Sequence, residues 1–469
     1  MNWLKWITHA KEVITFFKKN YEHIKSIALT FLIGLSLVLT WSLWTFKPSY
    51  PSLEGARIVK KQEVDVEAEV KQLVYPTQVI YHSGDDLYGL EANSLIRDFH
   101  MGLNETKFMF DTGNKSSRSF DPDEKFLRDN KYVEIIYPTG ITQDIYKEIF
   151  SFETDVQGKL PKMDRIFLYQ DKLTDSIEGY LVSYQAPRKM QKITAANNKL
   201  NPLIKNMDEW VENGSFTPYI NYDVETADKE GEAEITKRYY FPKNSLELTR
   251  YTYFSNSTGE DTYEMYKKAL FKDPLAVKSA SDKNQITYAD GTAAMVVNEV
   301  MNRFTYTNFS GNRNQNTTPN ISPLYQSKDY INTHAGWGNP YILSDLTGDS
   351  AGFWLFIDNL PVLDPEMQMS LVWLENELKE YQRSLTQLQL GQKPDLSQKM
   401  TIPSGLEVIK ELEEKEYNMN YIQDIRIGLT MKKQKQPHIY RLEPQWFINS
   451  NIDSKGWRPL FTETGKEGF

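Results

Sequence analysis

Cysteine is absent from the chain. That excludes disulfides, thiolate zinc sites, iron–sulfur clusters and cysteine nucleophiles together, so stability has to come from packing. Histidine is scarce: His9, His23, His82, His100, His334 and His438 are the full set. None is spaced as H-x3-H or H-E-x-x-H, so no metal site is expected. G-x-S-x-G elbows, S-x-x-K acylation motifs and Walker loops are missing as well. Asp121, Asp123 and Glu124 begin like a calcium loop. Counted from Asp121, however, Phe126 stands where the turn glycine belongs and Tyr132 where the bidentate glutamate belongs. No catalytic residue, cofactor or metal is therefore expected. Paired carboxylates set about 5–10 Å apart need no sequence spacing, so a hydrolase stays in view as an alternative.

A basic excess is missing too. Against 54 Lys and Arg stand 63 Asp and Glu, a net of −9. Residues 1–47 carry six lysines and two glutamates, so the remainder has 48 basic and 61 acidic side chains, net −13. Such a surface offers no nucleic-acid footprint. The 469 residues are enough for two to four domains, with 28 Tyr, 23 Phe and 10 Trp to fill their cores.

What is present begins with an uncharged run. Residues 26–46, SIALTFLIGLSLVLTWSLWTF, lie between Lys25 and Lys47. As a helix they cover the roughly 30 Å hydrocarbon core of a bilayer. Trp41, Trp44 and Phe46 crowd the far end as interface anchors. The run is too long for a signal-peptide core, and Trp44 and Phe46 occupy the place of small cleavage-site residues. The expectation is one retained transmembrane helix in the cell membrane, with residues 1–25 cytoplasmic and the C-terminal region extracytoplasmic. Lysines flank both ends, so this orientation rests on export of the large acidic part rather than on charge bias. In the tail, Trp3, Trp6, Ile7, Ala10, Val13, Ile14, Phe17 and Tyr21 recur at helical spacing. They form either an amphipathic helix on the inner leaflet or an extension of the membrane helix. Within the run, Ser26, Thr30 and Gly34 form a small-residue stripe, and Ser36 and Thr40 a second pair. These are the candidates for close packing against another membrane helix.

Beyond the membrane run, strands alternate with short helices, which predicts an α+β fold with antiparallel sheets. Residues 57–75 read as a linker or first strand. Residues 91–100 and 142–150 have helical spacing, and the polar stretch 102–128 between them reads as loop with short helical pieces. Tyr132 to Tyr137 is a strand, and 165–170 with 179–185 a hairpin. Residues 189–210 read as mostly helical, interrupted near Pro202. Strands follow at 219–224, 238–241 and 246–254, then a helix at 262–270. Asp290-Gly291 marks a hairpin turn within 285–306. Residues 309–322 are Gly-, Asn- and Pro-rich and read as a linker. A helix at 323–334 precedes strands at 352–357 and 368–374. Residues 379–388 are a return strand, although 367–388 also fits one helix. Ser404 and Glu407 form a capping box opening a helix, and strands at 421–431 and 438–448 close the chain. The expected domains are 47–160, 161–322 and 323–469.

Several segments together resemble the YycH (WalH) family. They are KSIALTFLIGLSLVLTWSLWTFKPSY from Lys25, YADGT from Tyr288, IPSGLEVIKELEEK from Ile402, and IRIGLTM with IYRLEPQWFI between Ile425 and Ile448. The resemblance runs from the membrane segment to the C-terminus in the family's order. This chain departs from it by some twenty additional residues ahead of KSIALT. The resemblance implies a Gram-positive, membrane-anchored accessory protein that regulates the YycG (WalK) sensor histidine kinase, and through it cell-wall metabolism. It acts together with the related YycI. It also implies three α+β domains, the last two similar in topology, a strand hairpin at 367–388, and no catalytic residue. An extracytoplasmic cell-wall hydrolase and a solute- or peptide-binding module are the alternatives.

Overall fold

The computed structural model describes residues 67–461 apart from 91–93, 111–116, 123, 154–158, 185–186, 197–198, 228–232, 257, 311–320, 392–396 and 452–455. Ahead of these it describes residues 25, 26 and 29–37. The chain divides into two units, residues 1–61 and 62–469.

In the first unit the described residues are helical. No helix among the described residues is long and apolar enough to cross a membrane. Of the expected span, residues 27, 28 and 38–46 lie outside them, as does the tail 1–24.

The second unit is built on three sheets. The first has eleven strands: β1 (Gln78–Ser83), β2 (Asp86–Leu90), β3 (Lys107–Phe110), β4 (Arg118–Ser119), β5 (Tyr132–Thr142), β6 (Ser151–Phe152), β7 (Lys162–Gln170), β8 (Ile177–Ser183), β9 (Lys189–Ala195), β10 (Thr217–Ala227) and β11 (Ala233–Pro242). Their order is β11-β10-β2-β1-β5-β7-β8-β9-β3-β6, with β4 beside β9. All these pairings are antiparallel except β3 with β6. Short helices α1 (Val70–Leu73), α2 (Ser94–Glu105), α3 (Lys125–Asp129), α4 (Gln143–Ile149), α5 (Asn201–Lys205) and α6 (Met207–Glu212) connect them. Helix α2 buries Ile96, Phe99, His100 and Leu103, the i, i+3, i+4, i+7 stripe of a helix lying on a sheet.

After β11 the chain sends β12 (Leu246–Phe254) into a different sheet, then forms α7 (Glu260–Leu270). The nine-stranded sheet follows: β13 (Lys278–Asp282), β14 (Gln285–Ala289), β15 (Ala293–Asn298), β16 (Arg303–Asn308), then, past α8 (Pro323–Thr333), β17 (Tyr341–Leu346), β18 (Ser350–Ile357), β19 (Leu360–Pro361), β20 (Met369–Leu374) and β21 (Glu377–Ser384). Its order is β13-β14-β15-β16-β21-β20-β18-β17, with β19 on β18. The last sheet joins β12 to β22 (Gln398–Ile402), β23 (Ile422–Lys433), β24 (Ile439–Ser450) and β25 (Trp457–Pro459), with α9 (Gly405–Glu414) between β22 and β23. Strands of 161–322 thus occur in all three sheets, and pairing continues across residue 160 (β5 with β7) and residue 322 (β16 with β21). One apolar core runs through the sheets, from Val79 and Ile166 through Phe304 and Phe353 to Leu442 and Ile448.

Several local expectations are met. Asp290 Oδ1 accepts the backbone N–H groups of Thr292 and Ala293 at 2.8 and 2.9 Å, and Gly291 adopts φ +89°, which closes the β14–β15 hairpin. Ser404 and Glu407 cap α9 reciprocally. Residues 367–388 form the β20–β21 hairpin, with Leu371 opposite Tyr381.

Other expectations need correction. Residues 189–195 are strand β9, held between β8 and β3, and helix begins only at Asn201. The stretch 102–128 contains β3, whose Phe108 and Phe110 alternate inward. Strand pairing overrides local preference in both places, β3 with the distant β9 and β9 with its neighbour β8 as well as with β3. In 57–75, residues up to 66 lie outside the described residues, and 70–73 is a helix capped by Glu69 and Gln72 rather than a strand.

Candidate functional site

Strand β5 carries a carboxylate in the middle of an apolar run, Glu134 in YVEIIY. In the antiparallel register Glu134 faces Ile80 on β1 and Phe167 on β7, so His82 and Arg165 lie diagonally to either side. The fold brings both onto it. Arg165 Nη1 donates to Glu134 Oε1. His82 Nε2 lies 2.9 Å from Oε2, and the Tyr240 hydroxyl donates to the same oxygen at 2.7 Å. Tyr240 sits on edge strand β11, so the sheet curls over itself to reach β5.

Glu134 is only 1% exposed. Burial would raise its pKa, but the Arg165 charge and the bonds from His82 and Tyr240 outweigh that and hold it at about 2. The pKa of His82 falls as well. Burial lowers it and outweighs the bond to Glu134 and its charge, with the nearby charges of Arg238 and Arg165 acting in the same direction as burial. The imidazole is therefore neutral and donates Nε2–H. It stacks on Tyr132 at 4.1 Å between ring centres. Arg165 also lies over the Tyr184 ring at 3.7 Å. This cluster ties β1, β5, β7 and β11 together. Its members lie 52, 31 and 106 residues from Glu134 along the chain, so no local motif marks them in the sequence.

Above the cluster opens a cleft of about 1190 Å³. Its walls come from all three sheets. Tyr137, Lys162, Arg165, Tyr184 and Arg238 come from the first sheet side, Arg303, Ser370 and Gln382 from the second, and Gln423, Arg426 and Trp457 from the third. Arg238 is held bidentately by Asp223 at 2.7 and 2.8 Å. Arg426 is paired with Asp424 and lies over the rings of Trp354 and Trp457 at 4.8 and 5.6 Å. Its Nη1 reaches the Thr77 hydroxyl at 3.3 Å, which bridges the third sheet to the entry of β1.

The residues expected at a membrane site fall elsewhere. Ser26, Thr30, Gly34 and Ser36 lie in the helical part of the first unit. The Thr30 hydroxyl is turned back on its own helix, donating to the Ser26 carbonyl at 2.8 Å. A Cβ at Gly34 would meet nothing within 4 Å. Thr40, Trp41, Trp44 and Phe46 lie outside the described residues. In the loop that begins like a calcium site, Glu124 pairs with Arg118 at 2.7 Å.

Family models match most of the chain. Residues 22–211 match the YycH protein N-terminal domain, and residues 236–459 the YycH protein C-terminal domain. A relative described as the two-component system WalR/WalK regulatory protein YycH of Bacillus subtilis (strain 168) is 21% identical over 457 residues, covering 92% of this chain and 95% of the relative. The crystal structure of YycH from Bacillus subtilis superposes with a TM-score of 0.65 at 16% identity, covering 85% of this chain and 98% of that one, and shows the same α+β fold. The chain therefore belongs to the YycH family.

Proposed function

We propose that this protein is a membrane-anchored regulator of a two-component system, acting on a WalK-type sensor histidine kinase together with a YycI-like partner. The observation that carries the reading is its match, along nearly the full length of both chains, to a regulatory protein of the WalR/WalK system. The uncharged run 26–46 supports an anchor with the N-terminus inside the cell. The small residues Ser26, Thr30, Gly34, Ser36 and Thr40 support contact with membrane helices of the kinase. The first described residues of the second unit are fastened rather than loose. Asn332 of α8 accepts from the Ala68 N–H at 3.0 Å and donates to the Ala68 carbonyl at 3.1 Å. Such a clamp suits a protein that converts a change in its outer part into a displacement of the chain leading to the anchor. A few kcal/mol of differential contact shifts a two-state kinase more than tenfold.

The test is a membrane pull-down of the tagged full-length protein beside a version whose residues 26–46 are replaced by an unrelated membrane helix. The native protein is expected to recover a sensor kinase and a second single-pass protein, and the swapped version to lose the kinase. Recovery of neither by the native protein in mild detergent overturns the reading.

A further inference from the structure

We propose that the cleft between the three sheets binds a small molecule bearing a carboxylate or phosphate oxyanion. The inference rests on which charges in the cleft are already balanced. Arg165, Arg238 and Arg426 are matched by Glu134, Asp223 and Asp424. Three other cations lining it have no carboxylate partner among the described residues. The Lys162 amine makes no hydrogen bond or ion pair with any of them. Lys237 donates only to the backbone carbonyls of Asn420 and Ile422. Arg303 donates to the Pro365 carbonyl at 3.1 Å and the Gln382 amide oxygen at 2.6 Å. Glu366 acts on Arg303 only through space and pairs instead with Lys433 at 3.5 Å. A guanidinium desolvated against neutral acceptors is held there at a cost that an incoming anion relieves. Desolvation lowers the pKa of both Lys237 and Arg303, as expected of cations waiting for a counter-charge.

Two further groups in the lining are incomplete. The hydroxyls of Tyr137 and Tyr184 are buried and without a hydrogen-bond partner among the described residues, although the two side chains are only 3% and 6% exposed. Buried hydroxyls are ordinarily satisfied, so each is a donor available to a ligand or its water. The rest of the lining includes the uncharged hydrogen-bonding side chains of Thr77, Thr139, Gln368, Ser370 and Gln423. These orient a polar solute without adding to the charge. In a chain of net −9, a cleft with three unmatched cations against the two remaining aspartates, Asp164 and Asp345, reverses the overall sign. Asp164 is itself occupied by the Tyr184 backbone N–H at 2.9 Å.

Thermal melting of the detergent-solubilised full chain tests this, with sodium pyrophosphate and trisodium citrate as probes against sodium chloride at matched ionic strength. A saturable rise in Tm with at least one anion is expected, since binding to the folded state alone stabilises it. Pyrophosphate alone acting identifies a phosphate ligand, and citrate alone a carboxylate. Lys162→Gln and Arg303→Gln should each weaken the apparent affinity about tenfold or more. Lys162→Gln should leave the ligand-free Tm unchanged, because its amine holds nothing in the fold. It therefore carries the comparison if Arg303→Gln melts early. No saturable rise with either anion, or a rise that both variants retain in full, overturns the proposal. Neither outcome touches the kinase reading, which the pull-down decides separately.

Discussion

Glu134 shows how much one buried charge decides. Its carboxylate balances Arg165, whose side chain is 12% exposed, and accepts from both His82 and Tyr240. Removing it leaves a guanidinium buried and unmatched, which costs about 3–5 kcal/mol. Glu134→Ala should lower the denaturant midpoint accordingly. Glu414→Ala, which removes one half of the exposed Lys410–Glu414 pair, should cost less than about 1 kcal/mol. Equal effects in the two variants would mean that Arg165 finds another partner or water. Two buried histidines, His82 beside Glu134 and His100 on α2, set a pH dependence. Burial lowers the pKa of His82, and lowers that of His100 to about 4. Unfolded, both bind a proton near the ordinary histidine pKa of about 6.5. Below that pH the unfolded chain holds more protons than the folded one, so stability present at neutral pH is lost as pH falls from about 6.5 toward 4. For His100 the loss is roughly 3 kcal/mol over that window. Glu134 extends the decline, its contribution fading from about 4.5 toward 2. Denaturant midpoints measured from pH 7 to pH 4 should fall, and fall less steeply in His100→Gln. Midpoints flat down to pH 5 would contradict this.

At the scale of elements, what the sequence made legible was what it encodes within a few residues. The Asp290-Gly291 hairpin and the Ser404–Glu407 cap each draw their hydrogen bonds from neighbours in the chain, and both appear as expected. Strand β3 does not, because its partner β9 is far away in sequence, and β9 is drawn into the sheet between its neighbour β8 and the distant β3. The buried cluster was hidden for the same reason, although a glutamate inside YVEIIY was a signal that an apolar strand held a purpose-built pairing. Helix α9 joins the local and the distant. Ser404 supplies the cap, and its loss in Ser404→Ala should cost about 1 kcal/mol. The next residue, Gly405, touches the first sheet. A Cβ there would sit 2.4 Å from Phe241 Cβ and 2.8 Å from the Pro242 carbonyl oxygen, which is backbone and cannot swing aside. Gly405→Ala should therefore destabilise the protein more than Ser404→Ala does, even though alanine is the better helix former. The reverse order in thermal melts would show that α9 and β11 can separate freely.

For the whole molecule, the proposed role requires that a unit held by long-range pairing act on a kinase in a membrane. Strand β12 illustrates the design: it leaves the first sheet's chain segment to pair with β22 and β24, so the three sheets cannot be parted along the sequence. Such a body moves as a unit more readily than it deforms locally. Any effect of the cleft or of a partner would then be delivered through the chain ahead of Ala68 and the anchor it leads to. Within the proposed anchor, the small-residue stripe is not uniform. Thr30 already spends its hydroxyl on the Ser26 carbonyl, which leaves Gly34 as the position where another helix gains most by close approach. Gly34→Leu should reduce recovery of the kinase in the pull-down about tenfold, a loss of about 1.4 kcal/mol of association. Thr30→Ala should change it little. Melting of the outer unit should be the same in both variants, which separates a lost membrane contact from a damaged fold. Undiminished kinase recovery with Gly34→Leu would place the contact on another face of the helix, and a drop with Thr30→Ala alone would mean that its hydroxyl turns outward to the partner.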